Sequence, residues 1–323
     1  MSVDAYCHVG LPRFGSLANA VAVAKLFGIK QSVLVLGPAV PDYETLFRAI
    51  SQHPDRIRGI GIPFGQNERQ QIEIAEIQVR AGLMGLRLSG TEILAYPIVT
   101  ELLGLTGRWI YAVSIINDPL AVEELIQWLD NYPSCRVAAP HFLRPDTDTI
   151  ESPLSDLIRH PRFHPIFSRQ GGLGSRHAYP HTDLKPWIES VVSLCGWDST
   201  MFGSEYPVIY WRDETVQSCL DWVHEIGVEA STEDITGFLG ETASKLLFSR
   251  PGPEREPVEI PDWVDDQFDR SRKISLFEPD TIETEMSDFP KQLDAYVKRL
   301  ATDQLLSFKT FYTTDVDPDR SVI

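Results

Sequence analysis

A carboxylate near position 205 and a histidine at position 8 are the residues of this chain best placed to do chemistry. Glu205 lies in Met201-Phe202-Gly203-Ser204-Glu205-Tyr206-Pro207-Val208, where an apolar run meets a Gly-Ser turn, a carboxylate and an aromatic-Pro stop. Proline gives no ladder hydrogen bond, so a strand must end about here and Glu205 falls just past its carboxyl end. A carboxylate drawn partly out of water can have its pKa raised into the working range and take a proton from attacking water. The bland alternative is a capping or salt-bridging side chain. His8 closes the run Val3-Asp4-Ala5-Tyr6-Cys7-His8 and can polarise a carbonyl or bind a metal through a neutral ring nitrogen. Side chains alternate along a strand, so Tyr6 and His8 share a face while Cys7 points away and is not expected to be a nucleophile. A phenol is a poor zinc ligand and a good donor to an oxyanion.

Three further groups could join them. His141 ends the apolar stretch Val137-Ala138-Ala139-Pro140. Arg87 follows Gly85-Leu86, and its planar fork suits a carboxylate or carbonyl; Ser89 is a companion donor. The polar, glycine-rich loop after Ser168 carries Arg169 and Arg176, candidates for a second anionic or hydroxylated group. Loops of this composition are also commonly just solvated. His160 and His164 flank prolines and read as structural, while His53 and His224 read as solvated helix residues.

These side chains need elements to hold them. Strand-like runs at 3–9, 32–36, 58–63, 84–88, 109–115, 137–142, 164–168 and 200–202 alternate with helix-period segments such as 17–27, 43–50, 68–81, 121–129, 187–194 and 215–226. Eight strands alternating with helices over about 250 residues predict an α/β fold, a (β/α)8 TIM barrel. An open doubly wound sheet is less favoured, because the first βα turn has no dinucleotide glycine pattern. The barrel is assigned to residues 1–250 and an acidic linker with a helical C-terminal extension to 251–323. The linker begins at Arg250-Pro251-Gly252-Pro253, and Leu293, Tyr296, Val297, Leu300, Leu305, Phe308 and Phe311 approximate one apolar helical face after it. That face is expected to pack on the barrel or on a second copy of the chain.

The formal charge of −17 on 323 residues argues against nucleic acid as a partner and leaves a small anionic substrate open. Residues 251–323 hold 17 acids against 9 bases, so nearly half of the excess lies there. No run reaches the roughly 18 apolar residues of a membrane span. Four cysteines show neither zinc-ligand spacing nor disulfide density, and no secretory signal is visible, so a cytoplasmic setting is expected.

The two ends of the barrel segment resemble the amidohydrolase-2 family, which typically opens Asp-x-His-x-His and closes Gly-Ser-Asp-aromatic-Pro. The resemblance runs through Gly85-Leu86-Arg87-Leu88, Ala139-Pro140-His141 and Tyr179-Pro180-His181-x-Asp183 and covers roughly the first 250 residues. This chain departs from it at Tyr6, where a histidine belongs, at Glu205, where an aspartate belongs, and at Thr242-Ala243, where Asn-Ala is usual. The resemblance implies that Glu205 and His141 take the family's catalytic positions, with Tyr179 and His181 beside the site and Arg87 anchoring substrate. A metal, if present, would use His8, His141 and Glu205, with zinc the expected ion; the broken histidine pair at Tyr6 favours no cofactor. The leading expectation is a metal-independent hydrolase of a small carboxylated or polyhydroxylated lactone or ester. In it Glu205 activates water, and Tyr6, His8 and His141 stabilise the oxyanion. The alternatives are a zinc-dependent decarboxylase of an aromatic acid and an inactive barrel that binds a ligand or partner.

Overall fold

A computed structural model describes residues 2–10, 14–38, 40–143, 149–168, 175, 177–212 (backbone only at 211 and 212) and 214–267. Arg169, Arg176 and the expected C-terminal helix at Leu293–Phe311 lie outside these residues. Eight parallel strands run in sequence order: β1 (Ser2–His8), β2 (Ile29–Val35), β3 (Ile57–Gly61), β4 (Gly85–Ser89), β5 (Trp109–Val113), β6 (Arg136–Ala139), β7 (Phe163–Phe167) and β8 (Met201–Phe202). With helices between them this is the expected (β/α)8 barrel. The seam between β1 and β8 is joined by the chain just beyond β8. Glu205 N–H donates to the Tyr6 carbonyl at 2.8 Å, and His8 N–H donates to the Tyr206 carbonyl at 2.7 Å.

The helices are α1 (Leu17–Leu26), α2 (Tyr43–Gln52), α3 (Glu68–Arg80), α4 (Gly90–Ala95), α5 (Pro97–Leu105), α6 (Pro119–Asn131), α7 (Leu154–Arg159), α8 (Lys185–Cys195), α9 (Val216–Glu225), α10 (Thr232–Thr236) and α11 (Asp262–Gln267). Side-chain caps set several starts: Asp42 accepts from Thr45 N–H, Asn67 from Gln70 N–H, Asp118 from Ala121 N–H and Thr215 from Ser218 N–H. The barrel interior is packed with Val33, Val35, Ile60, Met84, Trp109, Tyr111, Ile166 and Met201. Two π-helical turns follow, Gly237–Glu241 and Ser244–Phe248; Ala243 between them and Leu247 in the second join this cluster. Arg58, near the start of β3, donates to the Leu247 and Arg250 carbonyls, which places those turns at the amino-terminal end of the barrel.

Two features of β1 and β6 bear on function. Between Asp4 and Cys7, two residues of β1, Ala5 and Tyr6, stand opposite one of β2, Val33, a one-residue bulge. Val3, Ala5 and Tyr6 all join the interior cluster, whereas Cys7 and Val9 pack outward under the helices. The bulge therefore resets the alternation and turns Tyr6 and His8 inward together. β6, expected to run to residue 142, stops at Ala139 because His141, Phe142 and Leu143 all have left-handed backbone. Residues 251–267 lie against α2 and α3: Arg255 donates to the Ile50 carbonyl, Glu256 N–H to the Arg80 carbonyl, and Trp263 to Glu73. Val264 is fully buried there.

Candidate active site

Among the described residues, those other than glycine with left-handed backbone all follow the carboxyl ends of barrel strands. Ser114 follows β5 (φ 56°), His141–Leu143 follow β6 (54–63°), His181 lies between β7 and α8 (59°), and Glu205 follows β8 (54°). Each such residue costs of order 1–3 kcal/mol and persists only where its surroundings hold it. That concentration marks one rim of the barrel.

At this rim Glu205 is 2% exposed, and its Oε2 lies 3.6 Å from His141 Nδ1. His141 N–H donates to Ser168 Oγ at 3.0 Å, and the same hydroxyl lies 3.3 Å from His141 Nδ1. The turn that carries His141 is held from the next layer: Trp187 N–H donates to the Phe142 carbonyl at 2.7 Å, and the Phe142 ring stacks on Phe167 at 4.8 Å. Tyr6 stands edge-on to both His141 (5.1 Å between centroids) and His8 (5.0 Å). Its phenol oxygen accepts from Arg87 Nε at 3.2 Å. Arg87 is itself buried, so its charge is held inside the barrel mouth. His8 Nδ1 lies 3.0 Å from the Val35 carbonyl, which can only accept. Nδ1 therefore carries the proton of the neutral ring, and Nε2 carries the lone pair. Phe14 stacks on the other face of that imidazole at 4.5 Å.

The remaining expected residues are placed as follows. Ser89 is the N-cap of α4 in a capping box with Glu92, accepting from Glu92 N–H and donating to its carboxylate at 2.8 Å. Tyr179 donates to the Ser218 carbonyl on α9 at 3.0 Å, and burial pushes its phenol up. His181 pairs with Glu214 at 2.9 Å. Cys7 donates to the Val33 carbonyl, and burial, with Asp4 nearby, holds its thiol well above the ordinary range, which leaves no nucleophile there. The buried His164 is pushed down to about 4 by burial and by Arg136, which donates to it. It is a structural residue, as its sequence context suggests.

Sequence reasoning missed Asp4, Ser168 and Glu214. Asp4 takes the N–H of Tyr6 and both the N–H and hydroxyl of Ser204, so it closes the bulge and the β1/β8 seam at once. Burial raises its carboxyl to about 6 against those hydrogen bonds, which pull it down. Its place in the Asp-x-Tyr-x-His run was a signal; Ser168 and Glu214 carried none, since serine and glutamate in loops are ordinary.

The donor set can be tested against a divalent metal. Among the described residues no group of three or more His, Cys, Asp or Glu side chains converges to hold one. The position of a second strand histidine holds a phenol that accepts from a guanidinium. The family's paired strand histidines are thus represented here by His8 alone, with Tyr6 at the other position.

No family model and no curated protein matches the chain. Solved structures do. One is a candidate 2-pyrone-4,6-dicarboxylic acid hydrolase from Pseudomonas putida, with TM-score 0.59 and 18% identity over 77% of this chain and 98% of that one. Another is a dihydroxybenzoic acid decarboxylase from Polaromonas sp. JS666 with bound manganese and the inhibitor 2-nitroresorcinol, at 0.52 and 13% over 76% and 96%. A third is a candidate amidohydrolase from Staphylococcus aureus, at 0.51 and 15% over 76% and 99%. At these identities the likeness is one of fold.

Proposed function

We propose that this chain is a metal-independent hydrolase of the amidohydrolase type, acting on a small lactone or ester that bears a carboxylate or several hydroxyls. The observation that carries the reading is the buried Glu205–His141 pair, 3.6 Å apart, facing a phenol that a buried guanidinium holds. The hydrolase of similar fold acts, by its name, on a pyrone dicarboxylate, which is a lactone of this kind.

In this reading Glu205 takes a proton from water as the oxygen attacks the carbonyl carbon. The carbonyl π electrons move to its oxygen. The Tyr6 oxygen accepts from Arg87, and a cationic donor makes the phenol O–H a stronger donor to the developing oxyanion. His141, with Ser168 and Glu205 at its Nδ1, joins that task when its Nε2 carries a proton. When the oxyanion collapses the ring C–O bond breaks, and the proton held by Glu205 passes to the leaving oxygen. Neutral His8 presents a lone pair at Nε2, so it accepts from a substrate hydroxyl or from water, and it donates to an oxyanion only as the imidazolium. The charge of Arg87 draws a substrate carboxylate into the mouth.

A second reading, a metal-dependent decarboxylase of an aromatic acid, is favoured by the manganese in the decarboxylase of similar fold. One experiment separates the two. The purified protein is assayed for bound metals, then screened on lactones, including 2-pyrone-4,6-dicarboxylate, and on hydroxybenzoates, before and after chelation. The expected outcome is lactone turnover that survives chelation and falls about 10²–10⁴-fold in Glu205→Gln, the usual worth of general acid–base catalysis. Decarboxylation abolished by chelation would establish the second reading. Equal background rates for wild type and variant on every substrate would leave a binding protein.

A further inference from the structure

The chain between β7 and α8 and the chain between β8 and α9 are tied by a pair that the chemistry above does not use. His181 Nε2 lies 2.9 Å from Glu214 Oε1, and His181 Nδ1 lies 2.9 Å from the His177 carbonyl oxygen. A carbonyl oxygen only accepts, so Nδ1 must carry a proton. Ser175 Oγ is also 3.1 Å from Nδ1, but it gives its proton to Asp183 Oδ1 at 2.7 Å and so has none to offer the ring. An ionised carboxylate likewise only accepts, so Nε2 must carry a proton too. An imidazole with two N–H groups is a cation. Both partners are buried, 4% and 9% exposed, and Glu214 Oε2 has no hydrogen-bond partner among the described residues. The imidazolium is therefore the charge that answers this carboxylate.

We propose that His181 is a doubly protonated positioning residue which, through Glu214, locks the β7–α8 connection onto the β8–α9 connection at the rim that carries Glu205, and that it is not a substrate ligand. The left-handed backbone of His181 (φ 59°) is held in place by this pair. Tyr179 ties the β7–α8 connection to α9 itself through the Ser218 carbonyl. The described charged and titratable groups around the ring are Glu214 opposite, Asp183 on its own turn, Tyr179 edge-on at 6.0 Å, and His177, whose ring contacts Thr182 and lies 3.9 Å from Asp183. Burial is the largest single influence on His181 and pushes it down; the bond to Glu214, that carboxylate's charge, the His177 carbonyl and Asp183 together overcome it, so the net shift is upward from 6.5. A histidine raised on folding contributes its stabilisation in full below its unfolded value and loses it as pH rises through the folded value.

The test needs no substrate and so does not depend on the hydrolase reading. Long-range ¹H–¹⁵N spectra of the full-length protein report the protonation of each ring nitrogen. The expected result is a doubly protonated His181 that titrates above 6.5, and a midpoint that falls below 6.5 in Glu214→Gln, whose neutral amide no longer favours the cation. Exchange of the His181 and Leu184 amides, which donate to the Ala178 and His181 carbonyls, should rise about tenfold in that variant. A singly protonated ring in wild type at pH 6 overturns the proposal, as does a midpoint that Glu214→Gln leaves in place. If Glu214→Gln does not fold, the wild-type spectrum decides the charge and Glu214→Asp tests the coupling.

Discussion

At the scale of single residues, the contact between Tyr6 and Arg87 sets the character of this barrel mouth. A phenol accepting from a guanidinium is polarised toward donation, whereas a metal ligand must give up electron density to a cation of its own. Tyr6→Phe removes the phenol proposed to donate to the oxyanion and leaves Arg87 Nε without its acceptor. We expect turnover to fall roughly 10²-fold or more and stability to drop by about 1–3 kcal/mol, measured by steady-state kinetics and by denaturant titration of the same sample. Ser168→Ala leaves His141 N–H without its acceptor and removes the hydroxyl from Nδ1. The expected outcome is a loss of about 1–3 kcal/mol and a displaced midpoint in the pH profile of kcat/KM, restored in part by Ser168→Thr.

At the scale of elements, the seam between β1 and β8 decides whether these residues meet at all. Asp4 holds it with three donors from Tyr6 and Ser204 while its carboxyl is raised from 3.8 to about 6 by burial. The protonated form is the one the fold prefers, so this group's contribution is complete below pH 3.8 and is lost as pH rises to about 6. A shift of that size is worth about 3 kcal/mol. Asn in its place can accept the two N–H groups and donate to Ser204 without titrating. Between pH 4 and pH 7 the stability of Asp4→Asn should therefore gain about 2 kcal/mol relative to wild type in paired denaturation curves; parallel curves would show that Asp4 does not carry this dependence. Gly203 serves the same seam. A Cβ there would stand 2.9 Å from Ile166 Cγ2 and Tyr6 Cβ and 3.0 Å from Ser168 Cβ. Gly203→Ala should cost about 1–3 kcal/mol by overpacking and should lower activity further by shifting Tyr6 and Ser168 together.

At the scale of the whole molecule, the barrel ends in a strap rather than at its last helix. Residues 251–267 cover α2 and α3 through Arg255, Glu256, Trp263 and buried Val264, and Val258 and Ile260 join the apolar cluster beneath them. A chain truncated after Arg250 should melt lower and aggregate, because that apolar surface is opened to water. A chain truncated after Gln267 keeps the strap. Any change in solution mass on that second truncation belongs to residues 268–323, which lie outside the described residues. Light scattering on both truncations reads the two effects separately. No helix among the described residues is long and apolar enough to cross a membrane.

Much of this molecule was legible before any coordinates. Alternation of apolar runs with helix-period segments is a local property, and it set out the eight strands and the barrel, because each strand and helix buries its own face. The positions of His8, His141 and Glu205 at or just past strand ends were local too, since proline, glycine and the ends of apolar runs mark where strands stop; Tyr6 and Arg87 lie within β1 and β4. Other features came only from contacts between distant parts of the chain. The bulge that turns Tyr6 and His8 inward together depends on Asp4 reaching Ser204, 200 residues away. The left-handed turn at His141 depends on Trp187 and Ser168. The tautomer of His8 follows from the Val35 carbonyl, and the charge of His181 from Glu214, neither of which is its neighbour in sequence. Residue type sets what a side chain is able to give or accept, but which atom meets it inside a barrel is decided when the strands close.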